Sequence, residues 1–99
     1  MDASPLTSRQ RRHLKGLAQR LQPTVWVGEA GASEGVLRAL DAALRHHELV
    51  KVRMRQPEDK KALAAQLAAA TGACLVGLVG HTAVLYRRNP DEPVIELPA

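Results

Sequence analysis

The sequence holds one cysteine, one tryptophan and one tyrosine, and it has no phenylalanine. A lone Cys74 excludes an intramolecular disulfide and favours a reducing, cytoplasmic setting. The two aromatic residues, Trp26 and Tyr86, are too few for the base-stacking surface of an RRM or an OB fold. Because Trp26 stands in a short apolar stretch, we expect it to lie in the core.

The chain also lacks a long unbroken apolar run. Residues 62–86 carry no formal charge, but Thr71-Gly72 and Gly80-His81 interrupt them before the ~20 apolar residues that span a bilayer. Residues 1–9 contain no apolar signal-peptide core. We therefore expect no membrane segment, and a chain of 99 residues has the length of one domain, 1–99.

Acidic residues are scarce at the amino-terminal end. The chain has 14 Lys and Arg against 10 Asp and Glu, which gives a net charge of +4. The whole excess lies in residues 1–20, where Asp2 is the sole acid among Arg9, Arg11, Arg12, Lys15 and Arg20. Such a basic end is typical of a domain that meets a polyanion, although a merely solvated end has the same composition.

Hydrophobic periodicity and turn residues divide the chain into three helices and four strands. Helices are predicted from Thr7 or Ser8 to about Arg20, from Ser33 through Leu44, and from Pro57 to Gly72. Strands are predicted over 24–27, 49–55, 74–79 and 82–86, and residues 94–97 are a candidate for a short edge strand. In the second strand Val50, Val52 and Met54 should point inward, and Lys51, Arg53 and Arg55 outward.

This order, α-β-α-β-α-β-β, predicts an α+β fold, a single α/β sandwich with a mixed four-stranded sheet. The two strand–helix–strand units imply parallel neighbours, and the final hairpin is antiparallel. The polar outer residues of the second strand indicate that one sheet face is partly open.

Residues Gly28-Glu29-Ala30-Gly31 lie between a predicted strand and the start of a predicted helix. The N–H groups and positive dipole of a helix start suit phosphate, and glycine at both ends allows close approach. The dinucleotide and P-loop fingerprints are absent. What remains is a GxxG loop, the form with which KH domains clamp a nucleic-acid backbone, although short turns also carry glycine for structural reasons alone.

The first helix separates its apolar residues from its basic ones. The apolar stripe consists of Leu14, Leu17, Ala18 and Leu21, and the basic residues lie opposite, with Arg11 at the flank. A solvated surface helix normally intersperses acids with such residues, and none occurs between Arg9 and Arg20. We therefore favour a binding role, with contacts chiefly to the backbone and shape of a nucleic acid.

His46, His47 and Cys74 are the candidates for a metal site. Adjacent helix positions diverge by ~100°, the spacing of zinc ligands is absent, and histidine suits a helix carboxyl end, so we expect no metal. No serine–histidine–acid or paired-carboxylate arrangement stands out, and Ser33 beside Glu34 is better explained as a helix cap. We expect neither an enzyme nor a cofactor or small-molecule substrate.

Several short motifs follow one another along the chain. They are Leu6-Thr7-Ser8, residues 13–18, Gly28-x-x-Gly31 with residues 34–37, residues 46–52, Thr71-Gly72-Ala73 and residues 84–87. In this order they resemble the CRM domain (chloroplast RNA splicing and ribosome maturation). The resemblance covers a core of about 6–97, and a lone domain of this length is similar to the bacterial YhbY-like members.

The resemblance implies an RNA-binding module that associates with precursors of the large ribosomal subunit, and whose plant members assist intron splicing. It implies a fold similar to the C-terminal domain of bacterial translation initiation factor three. The family's RNA contacts are placed on the GxxG loop and the neighbouring basic surface, and Arg9, Arg11 and Lys15 match basic positions of its first helix. Glu29 departs from the family pattern, because a lysine or a neutral polar residue is common in the loop and a carboxylate repels phosphate. His81 departs from it because lysine is common at that position.

We therefore expect a cytoplasmic RNA-binding protein of ribosome biogenesis that acts on large-subunit precursor RNA without covalent chemistry. The expected contact residues are Arg9, Arg11, Arg12 and Lys15 of the first helix, Gly28, Glu29, Ala30 and Gly31 of the loop, and Lys51 and Arg53 of the second strand. Two other interpretations stay open. They are a sequence-independent binder of duplex DNA or RNA, and a protein-interaction module whose basic end meets an acidic partner.

Overall fold

Seven elements follow one another in the predicted order over residues 6–99, which the computed structural model describes. They are α1 (Ser8–Ala18), β1 (Val25–Val27), α2 (Glu34–His47), β2 (Leu49–Met54), α3 (Lys60–Thr71), β3 (Cys74–Val79) and β4 (Thr82–Tyr86). Asp2 and most of the sequence considered for a signal peptide lie outside the described residues. Within the described part, no helix is both long and apolar enough to cross a bilayer.

Each helix begins where a side-chain oxygen accepts a hydrogen bond from a backbone N–H of the first turn. Thr7 accepts from Gln10 at 3.0 Å, Ser33 from Val36 at 3.3 Å, and Asp59 from Ala62 at 3.1 Å. The first two caps confirm the prediction, whereas α3 begins after the predicted Pro57 because Asp59 is its cap. Gly72 ends α3 in the left-handed conformation, with φ 70°.

The sheet has the strand order β1-β2-β4-β3 and is mixed, as predicted. Strands β1 and β2 are parallel, and β4 pairs antiparallel with both β2 and β3. The expectation of parallel neighbours is correct for the first strand–helix–strand unit and wrong for the second. The reason is that β4, the last strand in the sequence, lies between β2 and β3.

The sheet separates two apolar layers. Helices α2 and α3 cover one face, where the buried residues include Leu40, Leu44, Val50, Val52, Met54, Leu67 and Leu85. Helix α1 packs on the other face, where the buried residues are Leu14, Ala18, Leu49, Val76, Val84 and Tyr86. The inward alternation predicted for β2 is therefore correct, and its odd-numbered residues lie on the face that carries α1, called here the α1 face.

The carboxyl-terminal segment, residues 89–97, is held in place without forming a strand, so the expectation of an edge strand over 94–97 is wrong. The carboxylate of Glu48 accepts hydrogen bonds from the backbone N–H groups of Asn89 at 2.6 Å, Val94 at 2.9 Å and Ile95 at 2.7 Å. Those N–H groups are thus engaged by a side chain and not by a neighbouring strand. Ile95 and Leu97 then pack beside α1.

Candidate nucleic-acid interface

Helix α1 presents a basic surface to solvent. Arg9, Arg12 and Lys15 are exposed, and Arg20 is exposed just beyond the helix. Leu14 and Ala18 turn toward the sheet and are buried, which fixes the opposite side outward. The other two residues of the predicted stripe, Leu17 and Leu21, stay 39% and 38% exposed, so that half of the stripe prediction is wrong.

Ion pairing distinguishes α1 from α2. The surface arginines of α2 pair with acids of the same helix: Arg38 with Glu34 at 3.1 Å and Arg45 with Asp41 at 3.3 Å. Among residues 6–99, no ion pair involves a basic residue of α1. The positive charge of α1 is therefore not compensated by acids of the described chain.

Arg11 has a structural role that the sequence pattern did not indicate. Its guanidinium donates to the carbonyl oxygens of Leu75 at 2.6 Å and Val76 at 3.0 Å, where the register of β3 shifts between Leu75 and Gly77. The side chain thus joins α1 to a sheet edge at an irregularity that leaves carbonyl groups without ladder partners. Burial raises the pKa of the nearby Cys74 thiol, and the charge of Arg11 opposes that increase.

Lys15 lies over the sheet because residue 77 is glycine. A β-carbon at Gly77 would stand 2.8 Å from the Cε atom of Lys15, which is closer than such contacts allow. The missing side chain therefore makes room for the aliphatic part of Lys15 against β3. The Lys15 side chain thus passes over Gly77 on the α1 face of the sheet.

Helix α1 covers only part of the α1 face, and one row of residues across the sheet lies largely outside it. The strand registers align Trp26 with Arg53, Arg53 with Thr82, and Thr82 with Val79, across all four strands. Trp26 is 63% exposed and Val79 72% exposed, and Arg53 is exposed as well, whereas Thr82 is buried between them. We call these four residues the open row.

The expectation that Trp26 lies in the core is wrong. Val25 and Val27 point into the core under α2, so the intervening residue must point to the α1 face. Helix α1 packs on β2, β3 and β4, and the face of β1 stays uncovered at Trp26. Trp26 alternates with Val25 and Val27 whether or not a helix covers the α1 face of β1, so the sequence of this short strand could not predict that Trp26 is exposed.

Lys51 lies one step from the open row on the same face of β2. Its Nζ donates to the carbonyl oxygen of Leu21 at 3.2 Å and so fastens the segment that joins α1 to β1. A groove of about 410 Å³ runs beside it, lined by Leu17, Leu21, Gln22, Thr24, His47, Leu49, Val50, Lys51 and Ile95. The outward positions predicted for Lys51 and Arg53 are correct, and both lie on the face that carries α1.

The loop Gly28–Gly31 connects β1 to the capped start of α2. The N–H of Gly31 donates to the carbonyl of Gly28 at 3.0 Å, and Gly31 has φ +65°, a conformation that favours glycine. Glu29 and Ala30 are exposed. The backbone N–H of Arg55, just after β2, donates to the carbonyl oxygen of Val27, the last residue of β1, at 2.9 Å. The loop therefore leaves the sheet at the end of β1 and β2 where Trp26 and Arg53 of the open row stand.

The histidine pair at the end of α2 does not converge on one point. The ring centroids of His46 and His47 are 6.3 Å apart. Within residues 6–99, no group of three or more His, Cys, Asp or Glu residues is placed to hold a metal ion. The expectation of no metal stays a prediction, which a metal analysis of the purified protein would test.

The sequence matches a known family over most of the chain. The sequence model of the CRS1/YhbY (CRM) domain matches residues 6–87. A Haemophilus influenzae protein named an RNA-binding protein is 41% identical over 95 residues, which cover 94% of this chain and 95% of that protein. A Pseudomonas aeruginosa protein named a probable RNA-binding protein is 40% identical over 87 residues, with 86% and 84% coverage.

A solved structure shares the fold. It is the solution structure of a hypothetical protein from Staphylococcus aureus, described there as a candidate RNA-binding protein. It superposes with a TM-score of 0.82 and 36% sequence identity, over 95% of this chain and 100% of the other. The predicted α+β fold class is thereby confirmed.

Proposed function

Because the chain belongs to the CRS1/YhbY (CRM) domain family, we propose that it is a cytoplasmic RNA-binding protein of ribosome assembly. The RNA that it binds in this proposal is precursor RNA of the large subunit, as the family resemblance implies. The relatives are named for binding RNA and not for a reaction, which supports non-covalent binding without a cofactor or small-molecule substrate. The whole chain, 1–99, acts as one binding domain.

The observation that carries this proposal is the uncompensated charge of α1. A helix that only needs solvation gains from i,i+4 ion pairs, and α2 has two of them. Helix α1 has none among the described residues, so its arginines and lysine repel one another in the isolated protein. A polyanion relieves that repulsion, and an RNA backbone supplies it at regular spacing.

In this proposal three parts of the surface contact RNA. Arg9, Arg12 and Lys15 attract phosphate, and Arg11 adds its charge while it holds α1 to β3. The loop of Gly28, Glu29, Ala30 and Gly31 docks backbone at the start of α2. Arg53, with Lys51 beside it, extends the basic surface across the sheet toward that loop.

The test replaces Arg9, Arg12 and Lys15 together by glutamine. A matched control replaces Arg38, Arg45 and Lys61, which removes the same charge from helices on the opposite face of the sheet. Each lost phosphate contact on single-stranded RNA lowers the slope of log K against log salt by about 0.7, so the first variant should lose about 2 units of slope. The control should keep the slope of the wild type.

Equal slopes for the two variants would show that α1 has no special contact with phosphate. The role in ribosome assembly needs a separate measurement, since a salt slope does not identify the RNA. Tagged protein in a cell lysate should sediment with particles that contain large-subunit precursor RNA. Sedimentation as free protein under the same conditions, with RNA binding intact, would contradict that role.

A further inference from the structure

The exposure of Trp26 is the feature that RNA binding by charge leaves unexplained. A tryptophan at 63% exposure keeps most of its apolar ring in water, which is unfavourable for a side chain of that size. The side chain stands on a strand and not on a loop, so its position is fixed by the hydrogen bonds between β1 and β2. The sheet therefore presents an aromatic side chain to solvent from a fixed backbone position.

The neighbours of Trp26 on the α1 face are basic or uncharged. Arg53 stands beside it on the adjacent strand, about 4.8 Å away by the ordinary spacing of paired strands. Lys51 lies one step further along β2 on the same face. No acidic residue occupies a position of the open row. The aromatic ring is thus bordered by positive charge.

We propose that Trp26 stacks on an unpaired base of bound RNA while Arg53 contacts a neighbouring phosphate. This inference rests on the proposed function and adds to it a residue that recognises the unpaired bases of single-stranded RNA. Base–aromatic stacking with adjacent cations is the usual way in which single strands are held. The bases of a duplex are stacked on one another, so a duplex cannot offer a free base face to this ring.

A protein partner fits the open row less well. The two exposed apolar residues, Trp26 and Val79, stand at opposite ends of the row, with Arg53 and Thr82 between them. An apolar partner surface would have to cover Arg53 and remove its hydration, although Arg53 has no ion pair with an acid of residues 6–99. A nucleotide supplies both an aromatic base for Trp26 and a phosphate for Arg53.

The experiment uses two variants of the full chain, Trp26→Ala and Val79→Ala. Both remove an exposed apolar side chain from the open row, so the second controls for general loss of apolar surface. The ligands are a labelled single-stranded RNA, an abasic strand with the same number of phosphates, and the RNA annealed to its complement. Affinities come from fluorescence anisotropy, and circular dichroism verifies that each variant is folded.

Trp26→Ala should lose roughly 5- to 150-fold in affinity for the single-stranded RNA, the range expected for one stacked base. Its affinity for the abasic strand and the duplex should change less than twofold, as should every affinity of Val79→Ala. Since Trp26 is the only tryptophan of the chain, its emission should also be quenched by the single strand and not by the abasic strand.

Two results separate this inference from the proposed function. If wild-type protein binds the single strand but Trp26 emission and the affinity of Trp26→Ala stay unchanged, stacking is wrong and RNA binding stands. If wild-type protein binds none of the ligands, the proposed function fails and the inference fails with it. An equal loss for base-bearing and abasic strands would also overturn stacking.

Discussion

Glu48 is a fully buried carboxylate that holds two parts of the chain together. It follows α2 with φ 61°, and its backbone N–H still donates to Leu44 at 3.0 Å. Three backbone N–H groups of residues 89–95 surround its carboxylate oxygens, and no cation is paired with it in the described chain. Hydrogen bonds to a charged, buried acceptor are stronger than ordinary ones.

We expect Glu48→Gln to lower the free energy of unfolding by about 2 kcal/mol, because the amide cannot accept all of these bonds. Urea denaturation at neutral pH measures the change, and hydrogen exchange should show faster exchange at Val94 and Ile95. Glu34→Gln is the control, since Glu34 is exposed and pairs only with Arg38 on the surface. An unchanged urea midpoint for Glu48→Gln would contradict the assignment.

Glu29 lies exposed in the loop where the proposal places phosphate. Glu29→Lys should strengthen RNA binding by roughly 1 kcal/mol or more, with Glu29→Gln between it and the wild type. The gain should shrink at high salt. Titration of labelled RNA at two salt concentrations measures both effects.

Glu92→Lys serves as the control for Glu29→Lys, because it makes the same change of charge near the other end of α2, where Asn89 contacts both Glu92 and Arg45. Equal affinities for the wild type and both Glu29 variants would mean that Gly28–Gly31 is only a structural turn. Gly31→Val is the less informative change. The positive φ of Gly31 means that valine would strain the turn and lower stability together with affinity.

Among the elements, α2, α3 and β4 are joined by Arg87. Its Nη1 donates to the carboxylate of Asp41 in α2 at 2.7 Å and to the carbonyl of Thr71, the last residue of α3, at 2.8 Å. The hydrogen bond from Arg87 holds the pKa of Asp41 below its ordinary value of 3.8, although burial opposes it. The carboxylate form of Asp41 is therefore favoured by folding.

This lowered pKa predicts acid sensitivity with a definite sign. A group whose pKa falls on folding stabilises the protein above its unfolded pKa and loses that contribution as the pH falls through its folded pKa. Asp41→Asn should therefore be less stable at pH 7, by at most about 1 kcal/mol because partial exposure screens the pair, and should lose less stability than the wild type below about pH 4. Melting temperatures across pH 2.5–7 measure this, and parallel curves would contradict it.

At the scale of the whole molecule, the sequence was enough to predict the element order, the mixed sheet and the family. Caps, periodic apolar residues and glycine at 72 are local signals, and they determined most boundaries to within a few residues. The strand order was not predictable in the same way, because nothing local indicates that β4 enters between β2 and β3. Helix α3 starts later than predicted because Asp59 caps it, which leaves Pro57 ahead of the helix.

The sequence predicted the positive charge of the candidate interface, but it did not predict the exposed aromatic residue, Trp26. The basic side of α1 follows from helical spacing, and its exposure matches that expectation. The exposure of Trp26 depends on how far α1 extends across the sheet, which is a tertiary property. The same holds for Arg11 and Glu48, whose partners lie more than 40 residues away in the sequence.

The position of β4 also determines when the protein can fold. Residues 82–86 are synthesised after the other three strands, and without them β2 and β3 have no partner between them. Pairing such as that of Arg53 with Thr82 joins distant segments, which makes folding slow compared with a helical bundle. A nascent chain therefore carries two strands with open edges until residues 82–86 have emerged, and it is most prone to aggregate in that interval.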